Sequence, residues 1–170
     1  MSLGLTIFTI IHVLISLAGI GTGLVMLVGQ LGGKRLDGWT AWFFITTVAT
    51  SVTGFFFPFH GFTPGIGVGI ISLLILPLAI YARYFRHMAG HWRAAFVISA
   101  TGALYLNFFV LVVQSFMKVP ALHALAPTQS EPPFAITQGI VFLVFATLGT
   151  MAVLRFRPSG GALPRAATAM

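Results

Sequence analysis

Five histidines and two carboxylates carry most of the chemistry that this 170-residue chain could perform, and their spacing decides which kinds. Imidazole and carboxylate together suit a Zn or Cu(II) ion, whereas two imidazoles at equal depth on different helices suit haem b. The candidate metal ligands are His12, His60, His123 and Glu131. The candidate cofactor-binding residues are His12 and His60 with the amides of Asn107 and Gln114. His87 and His91, in YARYFRHMAGHWR, have i, i+4 spacing, which on a helix puts both rings on one face. Beside Gly90 and among arginines, they read either as solvated residues at the headgroups or as a metal site. The chain has no cysteine, which excludes disulfides, iron–sulfur clusters and covalent c-type haem. Asp37 and Glu131 are its sole carboxylates, and no Ser-His-acid or HExxH arrangement occurs, so the residues lean against an enzyme.

The elements that must position these groups are set by composition. Hydrophobic residues make up 58% of the chain and charged residues 6%. The apolar residues come in runs long enough to cross a bilayer, about 20 residues each. Five runs qualify, near 5–31, 39–59, 62–85, 93–117 and 134–154. They lack the period-two alternation of a barrel, and every backbone amide in hydrocarbon must be satisfied internally, so the spans are expected to be helices. The expected fold is all-α: a polytopic five-transmembrane-helix bundle over 1–157, followed by a flexible cytoplasmic tail over 158–170. The first run has no basic flank or small-residue cleavage site and reads as retained, not as a signal peptide.

Alternating the spans through the membrane puts Lys34, Arg35, Arg83, Arg86, Arg93, Arg155, Arg157 and Arg165 on one side and Lys118 alone on the other. Short basic loops stay in the cytoplasm, which predicts an external N-terminus and a cytoplasmic C-terminus. Trp39, Trp42, Trp92, Tyr81 and Tyr84 fall near the same cytoplasmic ends, where amphipathic rings favour the headgroup level. The net charge of +7 is spread over these loops, so anionic lipid headgroups are the expected partner and nucleic acid is not.

This topology gathers His12, His60 and His123 toward the outer side. His12 is about two turns into the first span and shares a helical face with Thr9, Ser16, Gly19 and Gly23. Asn107, Gln114 and Lys118 form a polar stripe on the fourth span to which His12 could bond. His12 reads as a buried hydrogen-bonding residue, as a metal or haem ligand, or as a participant in proton or quinone chemistry. Its depth, roughly 10 to 13 Å along the helix against an interfacial His60, makes a bridging haem need a dipping turn. Gly19 with Gly23 and Gly65 with Gly69 read as close helix contacts, not phosphate loops, because no strand precedes them. The hydroxyls of Thr46, Thr47, Thr50, Ser51 and Thr53 mark a protein-facing side of the second span rather than a substrate path. The 118–133 loop reads as an interfacial helix or lid, or as a plain connection, with Glu131 placed to pair with Lys118 or a protonated histidine.

The segments RLDGWTAWFF, TSVTGFFFPFHGFTP and KVPALHALAPTQSEPPFAITQ resemble small uncharacterised multi-pass inner-membrane proteins of Gram-negative bacteria. The resemblance runs from the first span through the fifth and implies a location in the bacterial inner membrane; it carries no activity. The leading expectation is a non-enzymatic integral membrane protein whose outer, His-containing polar pocket binds a metal, haem b or a quinone. The competing classes are an accessory or scaffold subunit, working through a membrane-protein partner or as a homo-oligomer, and a small transporter. Transport is disfavoured because five spans give no inverted repeat and no carboxylate lies inside a span.

Overall fold

A computed structural model of the chain describes residues 3–58, 61 and 63–157, and all regular structure in them is helical. Helix α1 is Leu3–Leu31, α2 Asp37–Gly54, α3 Pro64–Ile80, α4 Trp92–Lys118, α5 Pro120–Leu125 and α6 Pro132–Arg155; α3 continues into a π-helical turn, Tyr81–Phe85. His60 and the tail expected over 158–170 lie outside the described residues.

Among the described residues four stretches are long and apolar enough to cross a membrane: α1, α3 with its π turn, α4 and α6. The chain therefore has the character of an integral membrane protein. Helix α2 falls short by composition, because its 18 residues begin at Asp37 and include six hydroxyl side chains. It nevertheless runs antiparallel along α1: Phe43 lies against Gly23, Thr46 and Thr47 against Gly19, Thr50 against Ser16 and Thr53 against His12.

Local chemistry sets the helix ends. Prolines occupy the first turn of α3, α5 and α6, where a missing N–H costs nothing. Thr63 caps α3 by accepting the Ile66 N–H at 3.3 Å. Helix α2 stops at Gly54, short of the expected end near 59; Pro58 in turn disfavours helical backbone at Phe57.

Helix α4 is the hub, packed against α1, α3 and α6, and its Phe96, Val97, Ala100, Ala103 and Leu104 are fully buried. The approach of α1 is permitted by Gly23, where a Cβ would sit 2.5 Å from Leu104 Cδ1 and 2.8 Å from Phe43 Cδ2. At Gly19 a Cβ would press on Thr46 Oγ1 at 3.3 Å, and at Gly69 on the Phe55 ring at 3.2 Å. Gly65 has no such neighbour, its nearest being Thr63 Oγ1 at 3.8 Å, so a close-packing role does not extend to it.

Every described Lys and Arg except Lys118 lies at or beside the end where α1, the π turn and α6 finish and α2 and α4 begin. Arg93 Nη1 donates to the carbonyls of Val153 and Phe156, both at 2.6 Å, and so caps the last turn of α6. Arg83 is pulled inside. Its guanidinium pairs with Asp37, donates to the Arg35 carbonyl at 3.2 Å and lies 4.9 Å from the Phe96 ring centre.

Candidate functional site

At the opposite end, α1, α2, α3 and α4 surround a cavity of about 490 Å³. Val13, Leu17, Phe57, Ile66, Val110 and Leu111 make much of its wall apolar. Into this wall are set His12 and Ser16 from α1, Thr50 and Ser51 from α2, Ser72 from α3, and Asn107, Gln114 and Lys118 from α4. No carboxylate lines it.

On the α1–α2 side the hydroxyl protons of Thr9, Ser16, Thr50 and Thr53 are already committed, while that of Ser51 has no partner among the described residues. Thr53 donates to the Ala49 carbonyl at 2.7 Å, Thr9 to Leu5 at 2.7 Å, and Ser16 to the His12 carbonyl at 2.9 Å. Thr50 then donates to Ser16 across 3.2 Å. With its own proton spent, Thr53 Oγ1 accepts from His12 Nδ1 at 2.8 Å. That assignment satisfies every contact and makes His12 the Nδ1–H tautomer, with the lone pair on Nε2. The ring is further held edge-on against Phe57, with centroids 5.0 Å apart. The expected bond from His12 to the α4 stripe is therefore replaced by a bond to α2, because the α1–α2 hairpin fixes that register directly.

The α3–α4 side is the reverse. Asn107 Nδ2 donates to Thr47 at 3.2 Å, but Gln114 and Lys118 make no hydrogen bond or ion pair among the described residues. Deeper in, Ser72 is 1% exposed and Ser51 7%, and neither hydroxyl has a partner among the described residues. Buried hydroxyls usually bond back to a carbonyl one turn earlier, as Ser99 does to Ala95 at 2.6 Å. Ser51 and Ser72 instead border the open space. The hydroxyls of Thr50 and Ser51 thus face the protein, as expected, and do so at a cavity wall.

No family model, curated protein or solved structure matches the chain. What the site can do must be read from its own atoms.

Of the residues singled out in the sequence, His12, Asn107 and Gln114 meet around this cavity. His60 lies outside the described residues. His123 is exposed on α5, and neither it nor Glu131 lines the cavity. Among the described residues no three His, Asp or Glu side chains gather into a metal-binding group. Glu131 is occupied locally: it accepts from the Thr128 hydroxyl at 2.9 Å and from the backbone N–H groups of Thr128 at 3.2 Å and Ser130 at 3.1 Å. Desolvation acts to raise the Glu131 pKa, but these hydrogen bonds outweigh it and hold the carboxyl below the usual glutamate range. It makes no ion pair with Lys118.

The loop containing α5 is tied to α4, with Gln129 Nε2 donating to the Val113 carbonyl at 2.9 Å. Of the 118–133 loop, Lys118 alone lines the cavity. His87 and His91 do not share a helix face either. His87 and Met88 have φ of 48° and 58°, which breaks the helix between the two imidazoles.

Sequence reasoning missed Ser72 and Arg83. Ser72 had a faint signal, following Gly65 and Gly69 at helical spacing as the one hydroxyl in an apolar run. Arg83 gave none, since an arginine near a span end reads as solvated.

Proposed function

We propose that the chain is a five-span bacterial inner-membrane protein, external at its N-terminus and cytoplasmic at its C-terminus, that holds a small hydrophobic molecule with a polar head. The observation that carries the binding role is the pair of hydroxyls of Ser51 and Ser72, which have no partner among the described residues and border a cavity whose wall mixes apolar side chains with His12, Asn107 and Gln114. Hydroxyls that border open space without a protein partner are free to bond to an occupant that carries a polar group. The fifth span is α2: it follows α1 antiparallel from Phe43 to Thr53, and its 18 residues extend about 27 Å. The collection of cations at one end supports the orientation and suits that end to anionic headgroups. A lone imidazole in the described lining favours a hydrogen-bonded organic ligand over a metal ion or a bis-histidine haem.

The absence of native cysteine makes topology simple to test. Ser130→Cys is expected to react with a membrane-impermeant maleimide in intact cells, and Ala89→Cys only after permeabilisation. The reverse pattern overturns either the orientation or the crossing of α2, which labelling of a Leu3→Cys variant separates, and labelling of both from outside overturns the crossing of α4. For the binding role, native mass spectrometry of the purified protein is expected to show a retained small hydrophobic molecule. That molecule should be absent from Ser72→Leu, which fills the cavity floor. Equal loading of Ser72→Leu and the parent overturns the assignment to this cavity.

A further inference from the structure

The hydrogen-bond polarity of the cavity narrows its occupant, on the reading that the cavity binds a ligand at all. On the α1–α2 side, the protons of Thr9, Ser16, Thr50 and Thr53 are all donated within the protein, and His12 gives its Nδ1 proton to Thr53. What His12 presents beyond that bond is the Nε2 lone pair, an acceptor. Across the cavity, the exposed Gln114 and Lys118 have no partners among the described residues; Lys118 offers donors alone and Gln114 both a donor and an acceptor. A ligand that donates to His12 and accepts from Lys118 meets the two groups whose polarity is fixed, while Gln114, Ser51 and Ser72 can serve either way.

Charge and shape remove other classes. Lys118 with no lining carboxylate disfavours a cation. An anionic head suits Lys118 but places oxygen lone pairs against His12 Nε2, acceptor against acceptor. Phe55 and Phe57 line the cavity, and Phe57 already makes an edge contact with the His12 ring. Such surroundings favour a flat aromatic head.

We infer that the cavity is built for a neutral phenolic head of the hydroquinone class, one hydroxyl donating to His12 Nε2 and the opposite oxygen accepting from Gln114 or Lys118. The hydroxyls of Ser51 and Ser72 lie at the floor, where ring substituents bearing oxygen would meet them. The inference concerns binding only and requires no transfer of electrons.

Isothermal titration of the detergent-purified chain tests it with three probes: trimethylhydroquinone under anaerobic conditions, its di-O-methyl ether, and decanoate. The hydroquinone is expected to bind about tenfold tighter than the ether, since methylation removes the donated hydrogen and leaves the imidazole acceptor unmet. His12→Phe, which preserves ring volume, is expected to bring that ratio close to one. The comparison of the two probes on the parent chain stands even if His12→Phe does not fold. Equal affinity for hydroquinone and ether on the parent overturns the inference. Decanoate binding that Ser72→Leu abolishes, without hydroquinone binding, also overturns it while leaving the cavity's binding role intact. Failure of all three probes counts against both.

Discussion

Ser72 and Arg83 lie about three turns apart on the helix formed by α3 and its π extension, each nearly sealed from its surroundings at 1% and 2% exposure. They meet opposite conditions. Arg83 is enclosed by an ion pair with Asp37, the Arg35 carbonyl, the Met88 sulfur at 3.9 Å and the Phe96 ring. Ser72 borders empty volume with no described partner. The costlier polar group is the fully compensated one, as it must be, since a buried unpaired guanidinium would cost several kcal/mol. The cheaper one is left open. Around Arg83 polar groups hold helices together, whereas Ser72 faces open volume. The contrast belongs to these two residues, since Gln30 and the Trp92 indole N–H, also at the basic end, are buried without partners among the described residues.

If that contrast is right, the largest loss of stability comes from disturbing Arg83. Asp37→Asn leaves the buried guanidinium without its counter-charge and is expected to cost about 2–3 kcal/mol, less than the roughly 3–5 kcal/mol of a fully buried pair because Asp37 is itself 70% exposed. Arg83→Met removes the charge together with the need to neutralise it and should cost less. Thermal unfolding in detergent measures both. A larger loss in Arg83→Met would show that the guanidinium acts through its contacts on Phe96 and Tyr84 rather than through charge.

Next in size is the close approach of α1 to α4. Gly23→Val is expected to destabilise by about 2 kcal/mol, since even a Cβ would fall within 3 Å of Leu104 and of the Phe43 ring. Gly65→Ala, at the open end of α3, should be neutral or stabilising by a few tenths of a kcal/mol. Equal losses at the two sites would mean that the cavity end is packed as tightly as the rest.

These positions also show what the sequence could reveal. The grouping of His12 with Asn107 and Gln114 was legible, because helical periodicity puts His12 on a face with Ser16 and Gly19, and Asn107 on a face with Gln114, while span order sets both toward the same end. The partner of His12 was not legible. Periodicity says which residues share a face but not how far two faces are rotated toward each other, so Thr53 took the bond expected from α4. Glu131 illustrates a different gap: the sequence offered it long-range partners, but its own turn supplied three donors at lower entropic cost. For His87 and His91, left-handed backbone at His87 and Met88 cancelled a spacing that has meaning only on a continuous helix.

A smaller effect is expected at Ser72 itself. Ser72→Ala deletes a hydroxyl that has no described partner, so thermal stability should stay within about 0.5 kcal/mol of the parent while ligand retention falls. Ser99→Ala breaks the bond to Ala95 and serves as the matched control from the packed half of α4. A stability loss at Ser72 as large as at Ser99 would mean that its hydroxyl is already engaged and would erase the contrast with Arg83.

The smallest effect is confined to the 128–131 turn and depends on pH. The folded-state pKa of Glu131 is lowered, so its contribution is present in full above the ordinary glutamate value and is lost as pH falls through the folded one. Protection of the Thr128 and Ser130 amides from hydrogen exchange, corrected for the intrinsic pH dependence, should therefore be constant near neutrality and decline only in acid. Glu131→Gln should flatten that decline, because an amide keeps an acceptor oxygen but does not titrate. The cavity should be indifferent to the same change, since the turn is anchored to α4 through Gln129 and contributes no lining residue. Loss of ligand retention in Glu131→Gln would instead couple the turn to the cavity and give the loop a lid role.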